Sequence, residues 1–430
     1  MFHTDRPPTW QVCLACGNES AELDPHPRCA SCGGLLEVRH RGPRLSRADL
    51  IARFDERRGQ RPGALASGVW RFRELVLPSA GDVVSHPEGN TPLLHREALD
   101  RWTGMHHLLL KHEGYNPTGS FKDRGMTVGV TQARRIKATA VSCASTGNTS
   151  ASLAAYASQA GMPALVLVPA GQVALGKLAQ TLAYGARTLL VRGDFDDCLR
   201  LVEEASRTLG VYLLNSVNPF RLEGQKTIVL EMLQQLDWEP PDWIVLPAGN
   251  LGNTAAFGKA LLEAHRWGLI SRIPRLAAVQ AVGAAPFARS FAEDFAQRYK
   301  VRAETVATAI KIGNPASFDR AVHAIRETEG VVLAVSDEDI LEAKAAVDAC
   351  GVGCEPASAA SVVGVRELVR RELIEPEQHV VAVLTGHILK DPGILIKYHQ
   401  ETDPPPAGAN RPIEIDADLG AIERVLASQP

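Results

Sequence analysis

A chain of 430 residues with 45% apolar and 22% charged side chains is long enough for two or three packing units and too apolar for disorder. Its 46 basic and 49 acidic side chains leave a formal net charge of -3, so no whole-molecule field recruits nucleic acid or an anionic membrane, and any anion must be bound locally. The apolar runs have strand length, well short of the roughly 18 residues of a bilayer span, and the opening MFHTDRPPTW has no secretory or transit pattern, so a cytoplasmic protein is the expectation.

Near the start, Cys13, Cys16, Cys29 and Cys32 form C-x2-C-x12-C-x2-C. Each pair can turn two thiolates toward one point, with Gly17 and Gly33-Gly34 permitting the tight turns, and four thiolates close a tetrahedral zinc shell. A zinc ribbon over residues 1–40 is expected, its structural zinc leaving no open position for hydrolysis. The alternatives are a disulfide pair and a knuckle that no longer holds metal. Cys143, Cys198, Cys350 and Cys354 read as inert core thiols. Residues 41–105 form a lead-in segment, with a short helix around Phe72 and a turn at 89–94, expected to pack on the larger domain.

From His106 the chain alternates. The apolar segments HHLLLKHE, ATAVSC, MPALVLVP, ARTLLVR and VYLLN are separated by helical patterns beginning near Ser120, Gly147, Leu175 and Asp194. The pattern resumes with DWIVLP, LAAVQAV, VVLAV and HVVAVLT. Such alternation predicts parallel sheets covered by helices, arranged as two doubly wound α/β domains, a smaller one over 106–214 and a larger one over 215–400. Residues 401–430 read as a Pro-rich linker and tail with a short amphipathic stretch.

Ligands bind parallel sheets outside the carboxyl ends of the strands, so the loops after strands are where chemistry is expected. In EGYNPTGSFKDRG, Lys122 stands at a helix start, where positive potential favours the free amine that Schiff-base chemistry needs. The plain alternative is a solvated lysine beside Asp123 and Arg124. In ASTGNTSAS, Ser145, Thr146, Asn148 and Thr149 crowd a second helix start as a neutral anion cradle, where capping alone needs only one of them. In AGNLGNTAAF, Gly249 and Gly252 let backbone N–H groups approach a phosphate. The loop has neither the G-x-G-x-x-G pattern with its ribose-binding acid nor a GK[ST] ending, so the set suits pyridoxal phosphate better than a nucleotide.

The motifs EGYNPTGSFKDRGM, CASTGNTSASLAAYAS, PAGNLGNTAAFGKA, CEPASAAS and LTGH-x-LKDP resemble those of the threonine synthase family, fold type II pyridoxal-phosphate enzymes related to tryptophan synthase beta, over roughly residues 86–400. The four-cysteine ribbon also occurs in longer members of that family. The resemblance implies that Lys122 carries the cofactor and shuttles protons, that Asn148 meets its phenolic oxygen, and that Gly249, Asn250, Leu251, Gly252 and Asn253 hold its phosphate. Thr385 would face the pyridine nitrogen, a neutral partner that tempers the electron sink. Ser145, Thr149, Asn215, Ser216 and Arg221 resemble the family's substrate-binding groups. Arg221 suits a bidentate phosphate contact, its alternative being a surface arginine capping a helix. One departure stands out. Where the family has GHGLKDP, Ile388 replaces the glycine, and strain is expected there if the loop needs positive φ.

The implied activity is that of a carbon–oxygen lyase converting O-phospho-L-homoserine and water to L-threonine and phosphate, in a homodimer whose smaller domain closes over reactive intermediates. Sibling enzymes on another small amino acid are the rivals, cysteate synthase acting on phosphoserine or a threonine/serine dehydratase. A third alternative is a catalytically idle binding protein whose ribbon contacts a partner; retention of Lys122, Asn148, the phosphate loop and Thr385 argues against it.

Overall fold

Three sheets organise the chain in the computed structural model, which describes residues 7–60, 63–171 and 178–427. The first is a small antiparallel sheet of β1 (Thr9–Cys13), β2 (Glu19–Ala21) and β3 (Leu36–His40), in the order β2-β1-β3. Its register pairs Gln11 with both Ser20 and Val38. The second contains β4 (Leu93–His95), β5 (Leu108–His112), β10 (Trp243–Pro247), β11 (Arg275–Ala281), β12 (Val331–Val335) and β13 (Val380–Leu384), in the order β12-β11-β10-β13-β5-β4. The third runs β8-β7-β6-β9, built from β6 (Ala140–Ala144), β7 (Ala164–Pro169), β8 (Arg187–Val191) and β9 (Val211–Leu213). Every pairing in the two larger sheets is parallel except β4 with β5. Strands such as WIVLP and VVAVL are buried along their whole length, as continuous apolar runs must be when helices cover both faces.

The expected alternation is present, with one correction. The alternation places HHLLLKHE in the 106–214 unit, but its strand β5 lies in the six-stranded sheet, with Leu108 opposite Val380 and His112 opposite Leu384. Apolar patterning marks a buried strand without saying which sheet buries it. Here the partner β13 lies far away in sequence. The helices expected near Ser120, Gly147 and Asp194 are Lys122–Arg135, Asn148–Gln159 and Phe195–Thr208, the last fixed by a capping box between Asp194 and Asp197. The start expected near Leu175 lies outside the described residues. The amphipathic stretch near the end is the helix Leu419–Ala427.

The lead-in segment supplies Leu50, Phe54, Trp70, Phe72 and Leu75 to the same buried cluster as Phe220, Leu230, Ile244 and Leu246. The ribbon docks through His40 on β3, whose Nε2 lies 2.7 Å from Glu223 Oε2. Glu223 also accepts from Lys226 at 2.5 Å, and Lys226 reaches Glu263 at 2.7 Å. Burial holds the His40 imidazole below its ordinary pKa, against the pull of Glu223.

A second buried ionic cluster joins four parts of the chain. Arg124, two residues beyond Lys122, donates to Glu113 at 2.7 and 2.8 Å and to Glu231 at 2.9 Å. Glu231 also accepts from Lys111 on β5 at 2.6 Å and from Arg71 of the lead-in at 2.9 Å. All of these side chains are buried. Three cations around one carboxylate hold Glu231 well below the usual carboxylate range despite its burial. Removing that carboxylate strands buried charges. Glu231→Ala is therefore expected to destabilise the fold by about 3–5 kcal/mol, read as a lower urea midpoint, whereas Arg101→Ala in the exposed ion pair with Glu97 is expected to change stability by about 1 kcal/mol or less.

Candidate active site

Lys122 is the first residue of its helix, and the loop before it is tied to the loop after β13. Phe121 N donates to Thr385 O at 3.1 Å, and His387 N donates to Gly119 O at 2.9 Å. Both residues following Lys122 are engaged elsewhere, Arg124 in the ionic cluster and Asp123 with Thr118 and Ser152. The lysine is thus no partner of theirs. Its amine is lowered to about 7, first by burial and then by the like charge of Arg221, with Glu355 opposing. A free amine near neutral pH was expected; its cause is enclosure and a neighbouring guanidinium more than the helix end.

Arg221 is not a surface cap. Its helix, Pro219–Gln225, is capped by Asn218, whose Oδ1 accepts from Phe220 N and Arg221 N. The Arg221 side chain is buried and donates from Nη1 to Leu214 O at 3.0 Å, while Nε and Nη2 have no partner among the described residues. Burial lowers it to about 10. An enclosed guanidinium facing no carboxylate, with two idle donors, is a site built for an anion that enters from solution.

The loop between β10 and the helix Gly252–Arg266 has the form of a phosphate cradle. Leu251 sits at the N-cap with φ 63°, and the helix has no side-chain cap and no acid in its first turn. A leucine in left-handed conformation is strained, as is common where a loop must present its amides. A Cβ on Gly249 would lie 3.0 Å from Ile310 Cα, so the chain passes too close there for a side chain. Asn253 Oδ1, Thr254 Oγ1 and Gln225 Oε1 are buried without partners beside it. Asn250 faces away, its Oδ1 accepting from Ala316 N at 3.2 Å, so it shapes the loop. The Thr254 hydroxyl and the uncapped amides of the helix start are the donors that fit the phosphate of the cofactor the loop motifs suggested, while the Asn253 and Gln225 oxygens can only accept.

Asn148 opens its helix and donates from Nδ2 to Glu355 Oε2 at 2.9 Å. Thr385, just beyond β13, donates from Oγ1 to Glu355 Oε1 at 3.2 Å and meets Ser358 Oγ at 3.0 Å. Two side chains expected to face the cofactor ring from different sheets therefore share one carboxyl group. The motif CEPASAAS alone gives Glu355 no role; the signal it does carry is an acid immediately before the proline that opens the helix Pro356–Arg370. Ser145 and Thr149 are half-buried in the same cradle, with Ser145 Oγ accepting from Gly147 N at 3.3 Å. Asn215 is committed to β6, bonding Ala144 N and O at 3.0 Å each, and leaves the adjacent Ser216 half-buried.

Strain at Ile388 does not arise. Ile388 is not among the residues with positive φ; it opens a short turn, Ile388–Lys390, and packs against Gly353, whose own φ is 70°. The left-handed residue of this contact is on the loop between the helices Asp337–Ala349 and Pro356–Arg370, so a β-branched side chain is accommodated. Lys390 donates to Gln180 Oε1 at 2.5 Å, and Gln180 Nε2 reaches Thr118 O at 3.3 Å, bridging the two larger sheets.

At the N-terminal sheet the sulfurs of Cys13, Cys16, Cys29 and Cys32 lie within 4.8 Å of one another. All four are free thiols, which removes the disulfide reading. Their separations of 3.4, 3.4 and 3.7 Å approach the roughly 3.8 Å that a tetrahedral shell with metal–sulfur bonds near 2.3 Å requires. Gly17 and Gly33 make the expected turns with φ of 74° and 72°. Residues and spacing fit a four-thiolate metal.

Comparison with known proteins agrees with this geometry. The family of pyridoxal-phosphate dependent enzymes matches residues 84–386, so the chain belongs to that class. Threonine synthase from Methanocaldococcus jannaschii is 42% identical over 421 residues, covering 97% of this chain and 99% of that protein. Threonine synthase 2, chloroplastic, from Arabidopsis thaliana is 38% identical, covering 95% and 82%. The solved threonine synthase of Escherichia coli has the same fold, with a TM-score of 0.68 at 20% identity over 97% of this chain and 99% of that one. Within the class, the chain belongs to the threonine synthases.

The electrostatics predict a titration. After reductive methylation of the cofactor-free protein with labelled formaldehyde, one lysine resonance is expected to titrate near 7 and to vanish in Lys122→Ala. Arg221→Met removes the like charge, so the same resonance should titrate at higher pH; an unchanged midpoint would separate the two side chains electrostatically.

Proposed function

We propose that this enzyme converts O-phospho-L-homoserine and water to L-threonine and inorganic phosphate. The observation that carries the reading is the buried Arg221 guanidinium with two unpartnered donors, close enough to lower the Lys122 amine. Lys122, Asn148, Thr385 and the loop from Gly249 to Asn253 would hold pyridoxal phosphate, which when bound supplies an electron sink for charge developing on the substrate.

The remaining work falls to this chain's own groups. Lys122, uncharged for a good fraction of the time near neutral pH, takes a proton from the substrate's α carbon and then from its β carbon; once phosphate has left, one proton goes to the γ carbon, which becomes the methyl group, water gives its hydroxyl to the β carbon and its proton to the base, and a proton returns to the α carbon. Arg221 binds the substrate phosphate in two-pronged fashion and compensates its charge as it leaves the γ carbon. Ser216 offers a hydroxyl to the same phosphate, while Asn215, bonded to Ala144, fixes the loop that presents it. Ser145 and Thr149 supply hydroxyls and helix-start amides for the substrate carboxylate. The Lys390–Gln180–Thr118 bridge helps the smaller sheet close over the site and exclude water that would divert the reaction.

The ribbon is read as a structural zinc site, the molecule as a homodimer and its location as cytoplasmic. No helix among the described residues is long and apolar enough to cross a membrane. Metal analysis is expected to give one zinc per chain, with Cys16→Ser losing the metal and lowering the melting temperature; a metal-free protein of full stability contradicts the zinc assignment.

Kinetics test the catalytic assignment. Lys122→Ala should abolish threonine formation. Arg221→Met should retain the cofactor while raising the KM for O-phospho-L-homoserine about 10- to 100-fold, the loss of a charge-assisted contact. An unchanged KM would place the substrate phosphate elsewhere, and turnover of phosphoserine with sulfite in place of phosphohomoserine would move the enzyme to the sibling activity.

A further inference from the structure

The hydroxyl of Thr385 has a donor count that can be worked out. Ser358 Oγ accepts from Thr385 N at 2.8 Å and from Gly386 N at 3.0 Å, which fills both of its lone pairs. Its own proton must then point at Thr385 Oγ1, 3.0 Å away. Thr385 Oγ1 is left with one lone pair and one proton. One of these meets Glu355 Oε1 at 3.2 Å; the other is free for whatever occupies the site.

Glu355 is similarly constrained. It is buried, its Oε2 accepts from Asn148 Nδ2, and its backbone N–H donates to Gly386 O at 3.0 Å. A Cβ on Gly386 would come within 2.4 Å of its carboxyl carbon, so the carboxyl group is held against the 385–386 backbone and only glycine leaves it room. Because Oε2 is occupied as an acceptor, a carboxyl proton belongs on Oε1, facing Thr385. Burial raises the Glu355 pKa and favours that proton, while Asn148, Lys390, Thr385 and Lys122 oppose it.

We propose that Glu355 is a positioning residue that stores a proton for the cofactor's ring nitrogen and passes it through the Thr385 hydroxyl. The inference rests on the reading above that Thr385 faces that nitrogen. In one arrangement Glu355 Oε1 carries the proton and donates to Thr385, whose own proton is turned toward a bare ring nitrogen. In the other, the Glu355 O–H bond has broken, its proton is on Thr385 Oγ1, and the former Thr385 proton is on the ring nitrogen. One proton moves at each oxygen and the total is unchanged; the carboxylate gains the negative charge that the ring nitrogen gains as positive. The two arrangements exchange, so the chain keeps the ring nitrogen partly protonated in the resting holoenzyme and more fully so when charge flows into the ring, which a threonine hydroxyl alone does not provide. The same carboxyl group fixes the Asn148 amide, leaving its second Nδ2 proton for the cofactor's phenolic oxygen.

The test uses holoenzyme loaded with pyridoxal phosphate labelled with heavy nitrogen in the ring, read by nitrogen magnetic resonance alongside turnover. The wild-type resonance is expected to lie displaced toward the protonated limit relative to Glu355→Gln, which keeps the shape and the hydrogen bonds but has no proton to give. Thr385→Val, which cuts the chain in the middle, is expected to match Glu355→Gln. In Glu355→Gln, kcat should fall at least about 10-fold, with KM and cofactor content nearly unchanged. Identical ring-nitrogen resonances in wild type and Glu355→Gln overturn the proposal, as does loss of the cofactor from both variants, which would make the role purely structural. Wild-type threonine formation, measured in the same samples, separates failure of this relay from failure of the activity on which it rests. A wild-type chain that takes up no cofactor overturns both.

Discussion

The Glu231 carboxylate holds the active site in register. It gathers Arg124 from the Lys122 helix, Lys111 from β5 and Arg71 from the lead-in segment, all buried, around a helix of the larger core. None of these ions could be enclosed alone, since each would forfeit its hydration without a partner. Together they fix where the Lys122 helix begins relative to the six-stranded sheet. β5 runs directly into the loop that carries Lys122, and β13 runs into the loop that carries Thr385, so neighbouring strands deliver both residues to one place. The backbone bonds between Gly119 and His387 and between Phe121 and Thr385 then lock the two loops together.

Within that frame the site separates two kinds of charge. Lys122 and Arg221 are like charges in an enclosed space, and their repulsion favours the uncharged amine until an anion arrives at Arg221. Substrate phosphate would relieve Arg221 and, by the same electrostatics, change the basicity of Lys122 when catalysis needs it. Glu355 lies on the other side, bridging Asn148 and Thr385, so proton transfer at substrate carbons and proton control at the ring are assigned to different residues. The ribbon touches this arrangement at one remove: His40 meets Glu223, two residues beyond Arg221 on the same short helix.

Much of this was legible in the sequence because it rests on local rules. The C-x2-C pairs, the strand-to-helix turns at Lys122, Asn148 and Gly252, and the apolar strands all announce themselves through spacing and composition. What was not legible depends on residues far apart. β5 reads as a buried strand, yet its sheet is decided by β13. Arg221 reads equally as a surface cap or an anion anchor, and only its burial and the capping by Asn218 decide between them. Glu355 has no role legible in the sequence because its meaning lies in its partners Asn148 and Thr385. The strain expected at Ile388 does not arise because the backbone there enters an ordinary short turn, Ile388–Lys390, without positive φ, a distinction that a motif comparison does not carry.

The most direct measurement of the central claim is to run the reaction of O-phospho-L-homoserine in heavy-oxygen water and locate the label by mass spectrometry. The account requires breakage of the carbon–oxygen bond at the γ carbon and addition of water at the β carbon. Threonine should therefore carry the label in its hydroxyl group, in step with an equal yield of unlabelled phosphate. Label in the phosphate, with homoserine as the product, would mean simple phosphate-ester hydrolysis and would contradict the account.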